Sequence, residues 1–114
     1  MSMQSINPAT GQSLATFETW PDDQVTAAVE DAGLTWTQWA QEVPLSDRCG
    51  LLERLADVLH EDRAALAELI TLEMGKRYAE ALAEIDKCAQ LCDYYAQQAP
   101  VFLADEPIEW AGHD

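Results

Sequence analysis

Basic residues are scarce in this chain: 6 Lys and Arg stand against 21 Asp and Glu in 114 residues, a formal charge of −15. A nucleic-acid partner needs a basic footprint that displaces phosphate counterions, so that class is excluded. The same negative field would be repelled by an anionic membrane surface. Long apolar runs are missing too. No stretch approaches the ~18 residues of a membrane span, and no basic segment precedes a short apolar one as in a secretion signal. The chain is therefore expected in the cytoplasm. No GxGxxG or GxxxxGK[ST] occurs, so no loop can be nominated to cradle a nucleotide's phosphates. Cysteine is limited to 3 residues without framework spacing, which fits a reducing compartment.

What is present is enough for one domain. Hydrophobic residues make up 48% of the chain, too many for a disordered polymer despite the charge. The acids are dispersed in runs of no more than two, as at Asp22-Asp23 and Glu61-Asp62. Dispersed acids on helical segments form a solvated face. No alternation of acids around a Gly resembles a calcium loop. The only lysines are Lys76 and Lys87. Many acids with few lysines suit a halophilic source, because molar salt shortens the Debye length to about 3 Å.

The chain reads as mainly α, a β-hairpin followed by three or four amphipathic helices. The hairpin falls in 4–20, where the Asn7–Gln12 turn separates two short extended runs. A helix over 21–41 starts at Pro21-Asp22-Asp23, with Pro at the first helical position and acids on the helix dipole. Val25, Ala28, Val29, Ala32, Trp36 and Trp39 or Ala40 recur there at helical spacing, and the two tryptophans read as core anchors. The stretch 44–75 reads as one helix or as two broken near 60–62. Its stripe is Leu51, Leu52, Leu55, Val58 and Leu59, then Leu66, Leu69, Ile70 and Met74, and Gly75 suits the cap. A further helix over 78–98 turns Leu82, Ile85, Cys88 or Ala89, Cys92 and Tyr95 inward, with Pro100 just beyond it. The tail over 99–114 carries a candidate strand at Pro107–Trp110.

The chemistry on offer is sparse. Cys88 and Cys92 share a helix face and could form half a zinc site, but neither Cys49 nor His60 nor His113 completes a second ligand pair. Core packing is the plainer reading, since Cys is among the most buried residue types. His60 has no nucleophile motif to partner and reads as a surface residue. Glu80 and Glu84 are an ordinary i,i+4 carboxylate pair without a sugar cleft.

Two stretches add a family. Ile6-Asn7-Pro8-Ala9-Thr10-Gly11, followed by Leu14-Ala15, resembles the opening of the aldehyde dehydrogenase superfamily. Leu69-Ile70-Thr71-Leu72-Glu73-Met74-Gly75-Lys76 is similar to that family's segment before its third helix. Pro21-Asp22-Asp23 with Val25, Arg48 ahead of Leu51-Leu52, Leu55-Ala56-Asp57, Tyr94-Tyr95-Ala96 and Phe102–Pro107 keep the same order. In flavour the chain most resembles the succinate-semialdehyde dehydrogenase branch. Trp20 departs from the usual Ser or Thr cap, and Arg77 from the usual Pro after Gly-Lys.

The resemblance implies the N-terminal helical layer of that fold without its Rossmann-type sheet. In the family a cysteine thiolate attacks the aldehyde, hydride passes to NAD or NADP, and a glutamate-activated water releases the acid. None of Cys49, Cys88 or Cys92 lies in the family's Gly-Gln-x-Cys context, so the chain alone is expected to be catalytically silent and to bind no cofactor. Two minor roles are implied. Ser5, Ile6 and Glu73 match positions that ligate a monovalent cation, with Glu73 in place of the more usual Asp. The family's third helix lines the substrate entrance, which Lys87 would face; its charge would attract a carboxylate-bearing semialdehyde, the plainer reading being an ordinary solvated lysine. The expected partners are the remainder of the enzyme and, through exposed apolar helix faces, further copies of the chain. The other reading is a stand-alone acidic helical interaction module derived from the family.

Overall fold

The computed structural model describes residues 2–108. Strand β1 (Ser2–Ile6) pairs antiparallel with β2 (Ser13–Glu18), and helices α1 (Asp22–Glu42), α2 (Leu45–Glu61), α3 (Arg63–Met74) and α4 (Tyr78–Phe102) follow. The protein is thus mainly helical, with four helices behind a hairpin.

The hairpin owes its register to its loop. Met3 faces Phe17 and Ser5 faces Ala15, with an irregularity between Ser5 and Ile6. Asn7 Oδ1 accepts the Ala9 N–H at 2.9 Å. The Gly11 N–H donates to the Asn7 carbonyl at 2.8 Å, with Gly11 at φ +73°. An Asx turn followed by a left-handed glycine reverses the chain at little steric cost.

Prolines begin two helices. Pro21 and Pro44 are the capping residues of α1 and α2, and the Pro21 carbonyl accepts the N–H groups of Gln24 and Val25 at 3.0 and 3.1 Å. The stretch 44–75 is two helices, joined at Asp62 with φ −90° and ψ 7°. Both pack on α4 and only slightly on each other. The bend at Asp62 lets both helices pack on α4, which one straight helix could not do. Gly75 ends α3 in the left-handed conformation at φ +68°, its N–H donating to the Thr71 carbonyl at 3.0 Å. Helix α4 continues past position 98 through Pro100 to Phe102. A proline removes only one ladder bond in the last turn, which closes when the Leu103 N–H reaches the Ala99 carbonyl at 2.9 Å.

The core is a thin seam. Its buried residues are Cys49 and Ala56 of α2, Ala67 of α3, and Ala81, Ile85, Ala89 and Ala96 of α4. Alanines let helix backbones approach closely, but they leave little apolar surface to bury. Several sequence expectations fail here for one reason, the lack of a layer opposite. No residue of α1 is buried, so Trp36 at 64% exposure and Trp39 at 41% are not core anchors. Leu51, Leu55, Val58, Leu69, Met74 and Tyr95 are exposed as well. Ala89, rather than Cys88, occupies the seam. Pro107 and Ile108 form no strand, and the rest of the expected Pro107–Trp110 strand lies outside the described residues, as does His113.

The shape follows. The radius of gyration is 20.8 Å, with extents of 75 × 40 × 26 Å, whereas a compact chain of this length has about 13 Å.

Candidate functional site

The start of α4 carries an open cleft of about 450 Å3 lined by Lys76, Glu80, Ala83, Glu84 and Lys87. Gly75 turns the chain just ahead of Lys76, and helical spacing stacks Glu80, Glu84 and Lys87 along one face. Lys76 Nζ donates to Glu84 Oε2. That hydrogen bond raises the Lys76 ammonium above its ordinary pKa, with desolvation opposing. Arg77 reaches over the first turn to Glu80, its Nε 3.1 Å from Oε1. Two of the cations are therefore neutralised by their neighbours. Lys87 makes no ion pair among the described residues and is exposed at the cleft. Lys87 is thus the one ammonium of the cleft without an ion-pair partner among the described residues.

The base of this region is anchored by a pair that sequence spacing could not show. Arg63 Nε and Nη2 donate to Asp86 Oδ1 and Oδ2 at 2.5 and 2.6 Å. This fork ties the start of α3 to α4. The hydrogen bonds from Arg63 hold the Asp86 carboxyl below the usual carboxylate range, against a smaller desolvation effect. Asp86 adjoins Lys87 in sequence, so the fork fixes the helix turn that carries the lysine.

A second assembly joins the hairpin to α3. Ser5 Oγ donates to Glu73 Oε1 at 2.6 Å. Beside it, a β-carbon placed on Gly75 would lie 3.1 Å from Pro8 Cγ. The fold thus brings two of the three matched cation positions, Ser5 and Glu73, into contact, with Ile6 next in the strand. Lys87 belongs to the separate cleft. Among the described residues no three His, Cys, Asp or Glu side chains converge as a metal would require. Cys49, Cys88 and Cys92 are free thiols, and His60 is exposed.

A groove of about 310 Å3 lies between the end of α1, α2 and α4, lined by Trp39, Leu45, Leu51, Leu52, Leu55 and Ala99 among others. Arg48 also lines it, and its buried Nε has no hydrogen-bond partner among the described residues. Among those residues no helix is long and apolar enough to cross a membrane.

The sequence pattern of the aldehyde dehydrogenase family matches residues 1–112. The chain belongs to that family, whose members are oxidoreductases. Among curated relatives it is 40% identical over 108 residues to a probable succinate-semialdehyde dehydrogenase [NADP(+)] of Synechocystis, covering 95% of this chain and 24% of that protein. It is likewise 40% identical over 111 residues to a succinate-semialdehyde dehydrogenase [NADP(+)] of Mycobacterium tuberculosis. The crystal structure of succinic semialdehyde dehydrogenase from Streptococcus pyogenes with NADP+ superposes with a TM-score of 0.89 at 38% identity, over 95% of this chain and 24% of the other. The chain therefore spans about a quarter of the length of the relatives it matches.

Proposed function

We propose that this chain is the N-terminal helical layer of an NADP-dependent enzyme that oxidises succinate semialdehyde to the dicarboxylate, and that it is catalytically silent by itself. The observation that carries this reading is the match to succinate-semialdehyde dehydrogenases along 95% of the chain but only 24% of their length. The thin alanine seam and exposed apolar faces agree with a layer that packs on further polypeptide. The nucleotide, which accepts hydride when bound, would be held outside this layer.

The layer's own contribution is electrostatic. Lys87 stands at the cleft as an uncompensated cation, placed to attract and orient the carboxylate end of the substrate. Ser5, Ile6 and Glu73 form the candidate monovalent-cation position, where oxygen donors suit a hard ion. The free thiols support a cytoplasmic setting, and the charge of −15 supports adaptation to high salt.

The test is NADPH formation from succinate semialdehyde, first with the purified chain and then with the chain co-expressed with the complementary three-quarters of the Synechocystis relative. Turnover only in the combination supports the proposal. Turnover by the chain alone, or no turnover from a folded combination, overturns it.

A further inference from the structure

The groove between the end of α1, α2 and α4 holds a polar atom that the chain does not satisfy. Arg48 Nε is buried there without a hydrogen-bond partner, and its guanidinium makes no ion pair among the described residues. An N–H that has lost its water and found no acceptor is costly, and folded proteins keep few of them. The walls around it are apolar, formed by Trp39, Leu52, Leu55 and Ala99 among others, and Arg48 is the one charged residue lining them. They are also unfinished, since Trp39 is 41% exposed and Leu55 45% although both line a concavity. An orphaned donor among half-covered apolar side chains is one side of a contact.

Resting on the reading of this chain as one layer of a longer enzyme, we infer that the groove seats a segment of the complementary polypeptide, an apolar stretch carrying one carboxylate that pairs with Arg48. The chain spans 24% of the length of its relative, so polypeptide able to close the groove exists outside it. Ala99 lines the groove one turn before α4 ends at Phe102, so the chain that follows α4 leaves beside it. The charge is matched as well. A cation desolvated among apolar side chains needs an opposite charge. A guanidinium fork presents parallel donors that a carboxylate accepts two at a time, where a backbone carbonyl cannot span the fork. A second copy of the chain would bring a further −15 and net repulsion, which makes it the poorer occupant.

Arg48→Met keeps an unbranched stem and removes the donors, and its two expected effects have opposite signs. In the chain alone it should raise the urea midpoint by roughly 0.5 M, because the orphaned donor is gone. In the chain co-expressed with the complementary three-quarters of the Synechocystis relative, it should weaken the assembly by about 30-fold or more, because the partner carboxylate is left buried and unpaired. Sedimentation over a dilution series reads that change. Arg48→Lys keeps the charge without the fork and should recover part of the loss. Arg54→Met makes the same charge change at an exposed position outside the groove and should leave both quantities nearly unchanged. A lowered midpoint for Arg48→Met in the chain alone overturns the inference, since Arg48 would then be satisfied within the layer. A wild-type assembly that tolerates Arg48→Met also overturns it and leaves the enzyme-layer reading standing, whereas failure of the wild-type assembly to form overturns both. A wild-type chain that dimerises by itself and loses the dimer with Arg48→Met assigns the groove to a second copy and overturns the inference as well.

Discussion

Ser5 and Glu73 lie 68 residues apart, and their side chains meet in a 2.6 Å hydrogen bond from the Ser5 hydroxyl to the Glu73 carboxylate. This contact and the neighbouring approach of Pro8 to Gly75 fasten the hairpin to the end of α3. A two-stranded hairpin alone is marginal in water, so these contacts matter more than their number suggests. Ser5→Ala should loosen the strands by about 1 kcal/mol. Faster amide hydrogen exchange at Gln4 and Thr16, with α4 unchanged, would show it, and uniform loss of protection would contradict it.

Two glycines should respond to alanine in opposite ways. Gly75 sits at φ +68°, where a β-carbon would also press on Pro8; Gly75→Ala should cost about 1–2 kcal/mol. Gly33 lies inside α1 with open space around it, and Gly33→Ala should gain up to about 1 kcal/mol of helix stability. Urea midpoints moving in the same direction for both would refute this account.

The Arg63–Asp86 fork gives an acid-sensitive element. Folding lowers the Asp86 pKa through the hydrogen bonds from Arg63. The stability it contributes is therefore present above the unfolded carboxylate pKa of about 3.9 and is lost as pH falls through the lower folded value. Asp86→Asn should flatten the stability–pH curve in that acid window and leave its shape near pH 7 alone. Stability measured by urea from pH 2 to pH 7 would reveal an unchanged slope if the fork plays no such part.

Lys76 behaves in the opposite sense. Its pKa is raised, chiefly by the hydrogen bond to Glu84, so its contribution is complete below the unfolded lysine pKa of about 10.4 and fades as pH rises through the higher folded value. Lys76→Met should reduce the loss of stability above pH 10. Thermal melts at pH 9 and pH 11 compare the two proteins directly.

At the cleft, Lys87→Met in the reconstituted enzyme should raise KM for succinate semialdehyde by about 5- to 10-fold, the worth of roughly 1 kcal/mol for an exposed charge pair. An uncharged aldehyde of similar length should be affected little. Equal effects on both substrates would remove Lys87 from carboxylate recognition.

Local signals were legible because local chemistry decides them. Pro21, Pro44, Gly11 and Gly75 mark turns and helix ends through their own backbone preferences. The 3.6-residue recurrence of apolar side chains located the helical stretches but left 44–75 open as one helix or two. The Ser5, Ile6 and Glu73 positions follow from motif matches and Lys87 from its place on the helix that lines the family's substrate entrance, whereas nothing in a 23-residue spacing announces the Arg63–Asp86 ion pair.

The sequence by itself determined which stretches are helical, where Pro21, Pro44 and Gly75 bound them, and that their charge is overwhelmingly negative, since propensity, capping and composition act over a few residues. That α4 runs on through Pro100 to Phe102 was decided by the structure. Tertiary structure decided which apolar residues are covered. Trp36 and Ala89 both sit at helical spacing on apolar stripes, yet Ala89 is buried and Trp36 is exposed. Periodicity names the face of a helix that would gain from burial; whether that face is buried depends on what packs against it, and in this chain α4 supplies such a partner for α2 and α3 but not for α1.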